Sequence, residues 1–120
     1  MITRRALTND ELKQAISEGD FASDIRNSCS RVAVILTQSW CPQWTFMKAW
    51  LSRMQKDTET PGICIYEAEY DRLPVFDEFR RFKESVFNNW EVPYVRYYTD
   101  GKLSGESNFV SEYSFKDFFP

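Results

Sequence analysis

Histidine is absent from the 120-residue chain. Because histidine is the commonest general base and a frequent zinc ligand, its absence excludes Ser-His and Cys-His catalysis and every zinc site that needs an imidazole. The three cysteines, Cys29, Cys41 and Cys64, are too scattered to predict a metal-binding motif. We therefore predict neither a metal nor a cofactor.

Long apolar runs and an excess of basic residues are also missing. No run approaches the roughly 20 apolar residues of a membrane span, so no membrane association is predicted. A net charge of −3, with 15 Lys and Arg against 18 Asp and Glu, argues against nucleic-acid binding. The charged N-terminal residues lead into no apolar segment, so no signal peptide is predicted. We expect a cytoplasmic protein with free thiols, since disulfides are uncommon in that compartment.

Aromatic side chains, in contrast, are abundant, with 10 Phe, 6 Tyr and 4 Trp. Rings at this density indicate a well-packed core or an aromatic surface patch. The length suits one hydrophobic core, so residues 1–120 are predicted to form a single domain. The sequence does not specify an oligomeric state.

Periodic apolar patterns predict alternating helices and strands. A capping box at Thr8–Glu11 begins the first helix, and Pro42 suits the first turn of another that the 57–62 segment ends. The predicted order is helix 8–19, strand 32–37, helix from 42, strand 63–69, helix 77–88, strand 94–98, strand 103–109 and helix from 111. The 21–30 segment fits a short helix or a loop. This alternation predicts an α/β fold, with a central mixed sheet flanked by helices.

The pentapeptide Trp40-Cys41-Pro42-Gln43-Trp44 stands where the first buried strand is followed by a helix. The free N–H groups and the dipole of a helix N-terminus favour a thiolate there. A lone thiolate can attack a disulfide and form a mixed disulfide, but it has no neighbour to release it. Release would have to come from an external thiol. An inert Cys41, retained as a small buried apolar residue, is the alternative.

Three short motifs resemble those of the thioredoxin superfamily in kind and in order. Trp40-Cys41 is similar to the start of that family's Trp-Cys-Gly-Pro-Cys motif, Val92-Pro93 to its cis-proline, and Asp100–Lys102 to its turn. The resemblance implies a thioredoxin-like three-layer sandwich, a cis Pro93 beside Cys41, and a Val92 backbone that pairs with an extended peptide. A trans proline that simply leads a strand is the alternative.

The motif also departs from the family in ways that bear on chemistry. Trp44 stands where the family has its second, resolving cysteine, and Ile35 where it has a buried aspartate that accepts the thiol proton. Tyr94 replaces the common threonine after the proline. Pro42 is placed as in glutaredoxins, but Trp40 stands where they have a basic glutathione-binding residue. The resemblance is therefore to a degenerate, single-cysteine thioredoxin.

The resemblance also suggests the residues of a site. Cys41 is the predicted nucleophile. The predicted substrate-binding residues are Trp40, Pro42, Trp44, Val92, Pro93 and Tyr94. For Trp44 two roles stay open, because the ring could form part of an apolar platform or pack into the core.

Two functions fit these residues. The first is monothiol thiol–disulfide exchange through Cys41, which would make the chain a thiol–disulfide oxidoreductase. Its partners would be protein or peptide thiols and disulfides, with glutathione a candidate resolving thiol. The second is a non-catalytic thioredoxin-fold binding or adaptor module that uses the same face.

Cys29 and Cys64 begin two predicted neighbouring strands and could lie close together. Because Cys64 has apolar neighbours and cytoplasmic disulfides are uncommon, we expect two free thiols. A Cys29–Cys64 bridge is the less favoured alternative.

Overall fold

A computed structural model describes residues 2–57 and 62–119. These residues form five strands and five helices, with one 3₁₀ turn at Tyr70–Arg72. The elements are β1 (Ile2–Ala6), α1 (Asn9–Glu18), α2 (Ser23–Arg26), β2 (Arg31–Thr37), α3 (Pro42–Lys56), β3 (Ile63–Glu69), α4 (Phe76–Ser85), β4 (Tyr94–Thr99), β5 (Lys102–Ser107) and α5 (Glu112–Asp117). None of the helices described combines the length and the apolar character that a membrane crossing requires.

The five strands form one mixed sheet in the order β1-β3-β2-β4-β5. β3 pairs in parallel with β1 and with β2, whereas β4 runs antiparallel to both β2 and β5. β2 is the central strand, and its residues from Val32 to Thr37 are buried. The predicted α/β class, a mixed sheet flanked by helices, is confirmed.

Alternate side chains of β2 enter two separate hydrophobic cores. Val32, Val34 and Leu36 pack in the first core with apolar residues of α1, α2 and α4. Ala33 and Ile35 pack in the second core with the apolar faces of α3 and α5. Helices thus cover both faces of the sheet and form a three-layer sandwich.

The helix signals in the sequence are confirmed at both ends of α1. The Thr8 hydroxyl accepts the Glu11 N–H at 3.1 Å, and the Glu11 carboxylate accepts the Thr8 N–H at 2.9 Å. Gly19 ends the helix with a positive φ of 85°. Within the ambiguous 21–30 segment the chain forms the short helix α2. The predicted helix-ending segment 57–62 lies mostly outside the described residues.

Strand β1 is the element that the sequence did not predict. Its two adjacent arginines, Arg4 and Arg5, give no strand signal in the sequence, but both contact side chains of the neighbouring strand β3. Arg4 donates three hydrogen bonds to Glu67 on β3. The Arg5 guanidinium lies 4.9 Å from the Tyr66 ring centroid and pairs with Glu11. Two of these partners, Glu67 and Tyr66, lie on β3 about 60 residues away, so no local pattern in the sequence signals the edge strand.

The expectation of free thiols at Cys29 and Cys64 is wrong, because the two form a disulfide. Cys64 stands opposite Val32 in the β2–β3 register, three residues along the chain from Cys29. Their Cα atoms are 5.8 Å apart, within the range that a disulfide spans. The pairing leaves Cys41 as the one free cysteine.

Reduction of this disulfide should lower the free energy of unfolding. The bridge closes a loop with a sequence separation of 35, and restricting the unfolded chain to that extent contributes about 3–4 kcal/mol. Urea unfolding of the wild type with and without dithiothreitol should show this loss. The C29S/C64S double variant should be equally destabilised and should not respond to the reductant. A wild-type unfolding curve that reductant leaves unchanged would contradict the pairing.

A buried tyrosine–arginine network supports β4 in the first core. Arg96 donates to the Tyr94 hydroxyl at 2.9 Å and to the Tyr98 hydroxyl at 2.8 Å, and its guanidinium lies 3.9 Å from the Phe87 ring centroid. Tyr98 in turn donates to Asp20 at 2.6 Å. Burial raises the pKa of the Tyr94 and Tyr98 phenols well above the ordinary value.

Burial likewise raises the pKa of Tyr97 in the second core, so the fold should lose stability in alkali. Below the unfolded-state pKa of about 10, a tyrosine with a raised folded-state pKa has no effect on how stability changes with pH. Above that pH the unfolded tyrosine ionises first, and the free energy of unfolding falls by up to about 1.4 kcal/mol per pH unit for each such residue. Urea unfolding at about pH 9 and about pH 11 measures the loss. Tyr97→Phe should reduce it, whereas Tyr113→Phe, at an exposed position, should not. Equal stability at both pH values would refute the assignment.

Candidate thiol site at the helix α3 terminus

Cys41 caps the N-terminus of α3 with an extended backbone, at φ −71° and ψ 118°. Its N–H donates to the Gln38 carbonyl at 3.2 Å, and its own carbonyl accepts the Thr45 N–H at 3.3 Å. Pro42 is the first helical residue, where the missing N–H costs nothing. The strand-to-helix junction predicted from the sequence is therefore the observed location of the thiol.

The Cys41 thiol faces the loop that precedes β4. It is 4% exposed, and its Sγ donates to the Val92 carbonyl at 3.7 Å. The Val92–Pro93 peptide bond is cis, and Pro93 is buried. The structure thus brings together two segments that are 51 residues apart in the chain.

Trp40 is the exposed member of the motif, with 65% of its surface accessible. Its indole N–H donates to the Gln38 side chain at 2.5 Å. The preceding Ser39 binds Asp71 through both its N–H, at 2.8 Å, and its hydroxyl, at 2.5 Å. The loop that carries Trp40 is therefore held at both the side chain and the backbone.

Trp44 and Tyr94 do not expose their rings beside Trp40. Trp44 is 1% exposed in the second core and donates its indole N–H to Glu69 at 2.7 Å, because the first turn of α3 faces the sheet. Tyr94 is also 1% exposed, but it lies in the first core and donates to Glu106. Trp44 therefore packs into the core and does not form part of an apolar platform at the surface.

The loop before Pro93 is held by Lys83, a residue that sequence reasoning missed. Lys83 is 1% exposed, and its ammonium donates to the Asn89 carbonyl at 3.1 Å, the Asn89 side chain at 3.0 Å and the Glu91 carbonyl at 2.8 Å. Burial lowers the pKa of Lys83 to about 8. The available signal was its spacing, since Lys83 lies four residues after the buried Phe79 on the apolar face of α4.

Asn108, between β5 and α5, holds the same loop from the other side. Its amide donates to the Pro93 carbonyl at 3.1 Å and to the Asn89 side chain at 3.2 Å, and Asn89 donates back to it at 3.2 Å. Two further aromatic residues are exposed nearby in sequence, Trp90 at 65% and Phe109 at 43%. We call these three exposed residues the aromatic rim, because Trp40, Trp90 and Phe109 directly follow or precede Cys41, Asn89 and Asn108 in the sequence.

No carboxylate stands at position 35, where the resemblance would place an aspartate that accepts the thiol proton. Ile35 is fully buried in the same core as Cys41. Glu67 stands opposite it on β3, but two guanidinium nitrogens of Arg4 bind its carboxylate, and burial raises the pKa of Glu67. The buried Thr37 hydroxyl has no hydrogen-bond partner among the described residues.

A separate cleft of about 340 Å³ opens beside Trp44, near the carboxyl ends of β1 and β3. Its charged lining groups pair with one another, since Arg4 binds Glu67 while Lys48 and Arg72 contact Glu69. Within residues 2–57 and 62–119 no group of three or more Cys, Asp or Glu side chains could hold a metal ion. At the α3 terminus the structure brings together the Cys41 thiol and the Val92 peptide group.

Similarity to known proteins is visible in the fold and not in the sequence. No protein-family model and no curated protein matches the chain. Thioredoxin O1 from Arabidopsis thaliana superposes with a TM-score of 0.66 at 15% identity, over 95% of this chain and 92% of that one. A mutant thioredoxin from Halobacterium salinarum gives 0.64 at 15% identity, over 95% and 85% of the two chains. Arabidopsis thioredoxin O2 gives 0.62 at 17% identity, over 95% and 89%. The chain thus has the fold of the thioredoxin superfamily.

Proposed function

We propose that the chain carries out thiol–disulfide exchange with Cys41 as its single nucleophile. The observation that carries this proposal is the position of the Cys41 Sγ, at the N-terminus of α3 and 3.7 Å from the Val92 carbonyl. The Val92 peptide group offers a hydrogen-bonding edge to the backbone of a bound peptide. A thiol and a backbone-binding edge are what a disulfide-bearing peptide requires.

The reaction consists of two successive thiol–disulfide exchanges. The Cys41 thiolate attacks one sulfur of a substrate disulfide, so that a Cys41–substrate disulfide forms, the substrate's S–S bond breaks and a substrate thiolate leaves. A second thiolate then attacks the substrate sulfur of the mixed disulfide and regenerates the Cys41 thiolate. Electrons are exchanged only among sulfur atoms, and neither step needs a metal.

The second thiol has to come from outside the chain. Trp44 fills the position one turn after Cys41 and is buried. Cys29 and Cys64 are bonded to each other at the other end of β2, whose seven residues separate them from Cys41 by about 20 Å. A resolving thiol from the substrate or a small thiol such as glutathione fulfils this requirement.

Oxidised glutathione should add to Cys41 and to no other residue of the native chain. We expect intact-protein mass spectrometry to show one glutathione adduct on the wild type and none on Cys41→Ser, with the adduct removed by reduced glutathione. Cys29 and Cys64 serve as an internal control, since their bond keeps them unreactive without reductant. A Cys41 that reacts after unfolding but not in the native protein would refute the proposal.

A non-catalytic binding module is the second candidate, and two observations favour it. The thiol is 4% exposed, and the aromatic rim leaves three large apolar side chains in solvent. Exposed aromatic residues are frequent anchors of protein interfaces. A binding module would hold an extended peptide without using the Cys41 sulfur.

Trp40→Ala separates the contribution of the surface from that of the thiol. We expect it to raise the KM for a peptide disulfide about tenfold, since loss of an aromatic anchor typically costs over 1 kcal/mol of binding. Tyr113→Ala, which removes a ring that is 77% exposed on α5, is the matched control and should have no effect. If Cys41→Ser binds a reduced peptide normally and the wild type turns over no disulfide, the binding module is the correct function.

A further inference from the structure

The loop of residues 89–93 is held by two side chains, Lys83 of α4 and Asn108 between β5 and α5. Lys83 of α4 donates to the carbonyls of Asn89 and Glu91, and Asn108 donates to the carbonyl of Pro93. The Asn89 side chain joins the two, because its oxygen accepts from Lys83, from Asn108 and from the Glu91 N–H. Within this arrangement the Val92 carbonyl faces the Cys41 thiol.

Lys83 is an unusual residue for this place. A buried ammonium ion normally pairs with a carboxylate, but among the described residues no carboxylate lies within ion-pair distance of Lys83. All three of its donors are used on the loop instead, and its Nζ lies 5.3 Å from the Tyr94 ring centroid. The charge strengthens these hydrogen bonds relative to those of a neutral donor.

We infer that Lys83 is a positioning residue, which holds the Val92 peptide group in the orientation that receives a peptide substrate beside Cys41. The inference rests on the proposed exchange at Cys41. Lys83 itself touches neither the thiol nor the substrate. Without its three bonds the Asn89 carbonyl loses its buried donor, and the Glu91 carbonyl keeps only the 3.4 Å bond from Asn108. The loop that carries Val92 is then held from one side only.

Two reagents with the same leaving group test this role. The first is 2,2′-dithiodipyridine, which offers Cys41 a disulfide without a peptide backbone. The second is an extended peptide whose single cysteine carries a 2-thiopyridyl group. Lys83→Met should lower the rate of Cys41 with the peptide about tenfold, the effect of losing a hydrogen bond to a charged group. Its rate with 2,2′-dithiodipyridine should stay within about twofold of the wild type.

Two further variants complete the comparison. Asn108→Ala removes the hydrogen bond to the Pro93 carbonyl and should slow the reaction with the peptide but not with 2,2′-dithiodipyridine. Lys13→Met changes an exposed lysine on α1 and should leave both rates unchanged. An equal fall with both reagents in Lys83→Met would mean that Lys83 supports the fold in general, and would overturn the inference. Unchanged rates with both would overturn it as well.

Amide hydrogen exchange tests the loop independently of any reaction. The Glu91 N–H is bonded to the Asn89 side chain that Lys83 holds. In Lys83→Met this amide should exchange about tenfold faster, while that of Val95 in β4 should not change. If wild-type Cys41 reacts with neither reagent, the proposed exchange fails, and the Glu91 amide still decides the role of Lys83. An unchanged Glu91 rate would refute it.

Discussion

The burial of β2 on both faces is the constraint on which the rest of the molecule depends. Because every residue from Val32 to Thr37 is buried, helices must cover the sheet on both sides, and the strand must find partners at both edges. The chain leaves β2 at its carboxyl end and enters α3 within a few residues. Cys41 is therefore fixed at the one place where a central strand, a helix terminus and the start of β4 meet.

The same constraint determines what Cys41 can do. Its sulfur is separated from the Cys29–Cys64 disulfide by the length of β2, and the next turn of α3 holds the packed indole of Trp44. The two other cysteines of the chain are bonded to each other. What remains is a thiol in contact with the Val92 peptide group, on a loop that Lys83 and Asn108 hold in place.

Local sequence patterns predicted the elements whose signals are local. The capping box of α1, the apolar run of β2 and the proline at the start of α3 each specify their own conformation. Strand β1 was missed because its arginines are stabilised by residues about 60 positions away, such as Glu67. The disulfide was misjudged for a similar reason. The distance between Cys29 and Cys64 depends on the β2–β3 register, which no local pattern specifies.

The site was predicted as far as its motifs extend. Cys41 lies against the Val92 carbonyl, before the cis peptide bond to Pro93, while the substrate-binding roles of these residues stay predictions. Lys83 and Asn108 belong to no motif and became visible only through their contacts. The most direct test of the account is a crystal structure of Cys41 trapped in a mixed disulfide with a cysteine-containing peptide. The account predicts a Cys41–peptide S–S bond and an extended peptide hydrogen-bonded to the Val92 backbone. A peptide sulfur bound elsewhere, or a peptide at Cys41 with no contact to Val92, would contradict it.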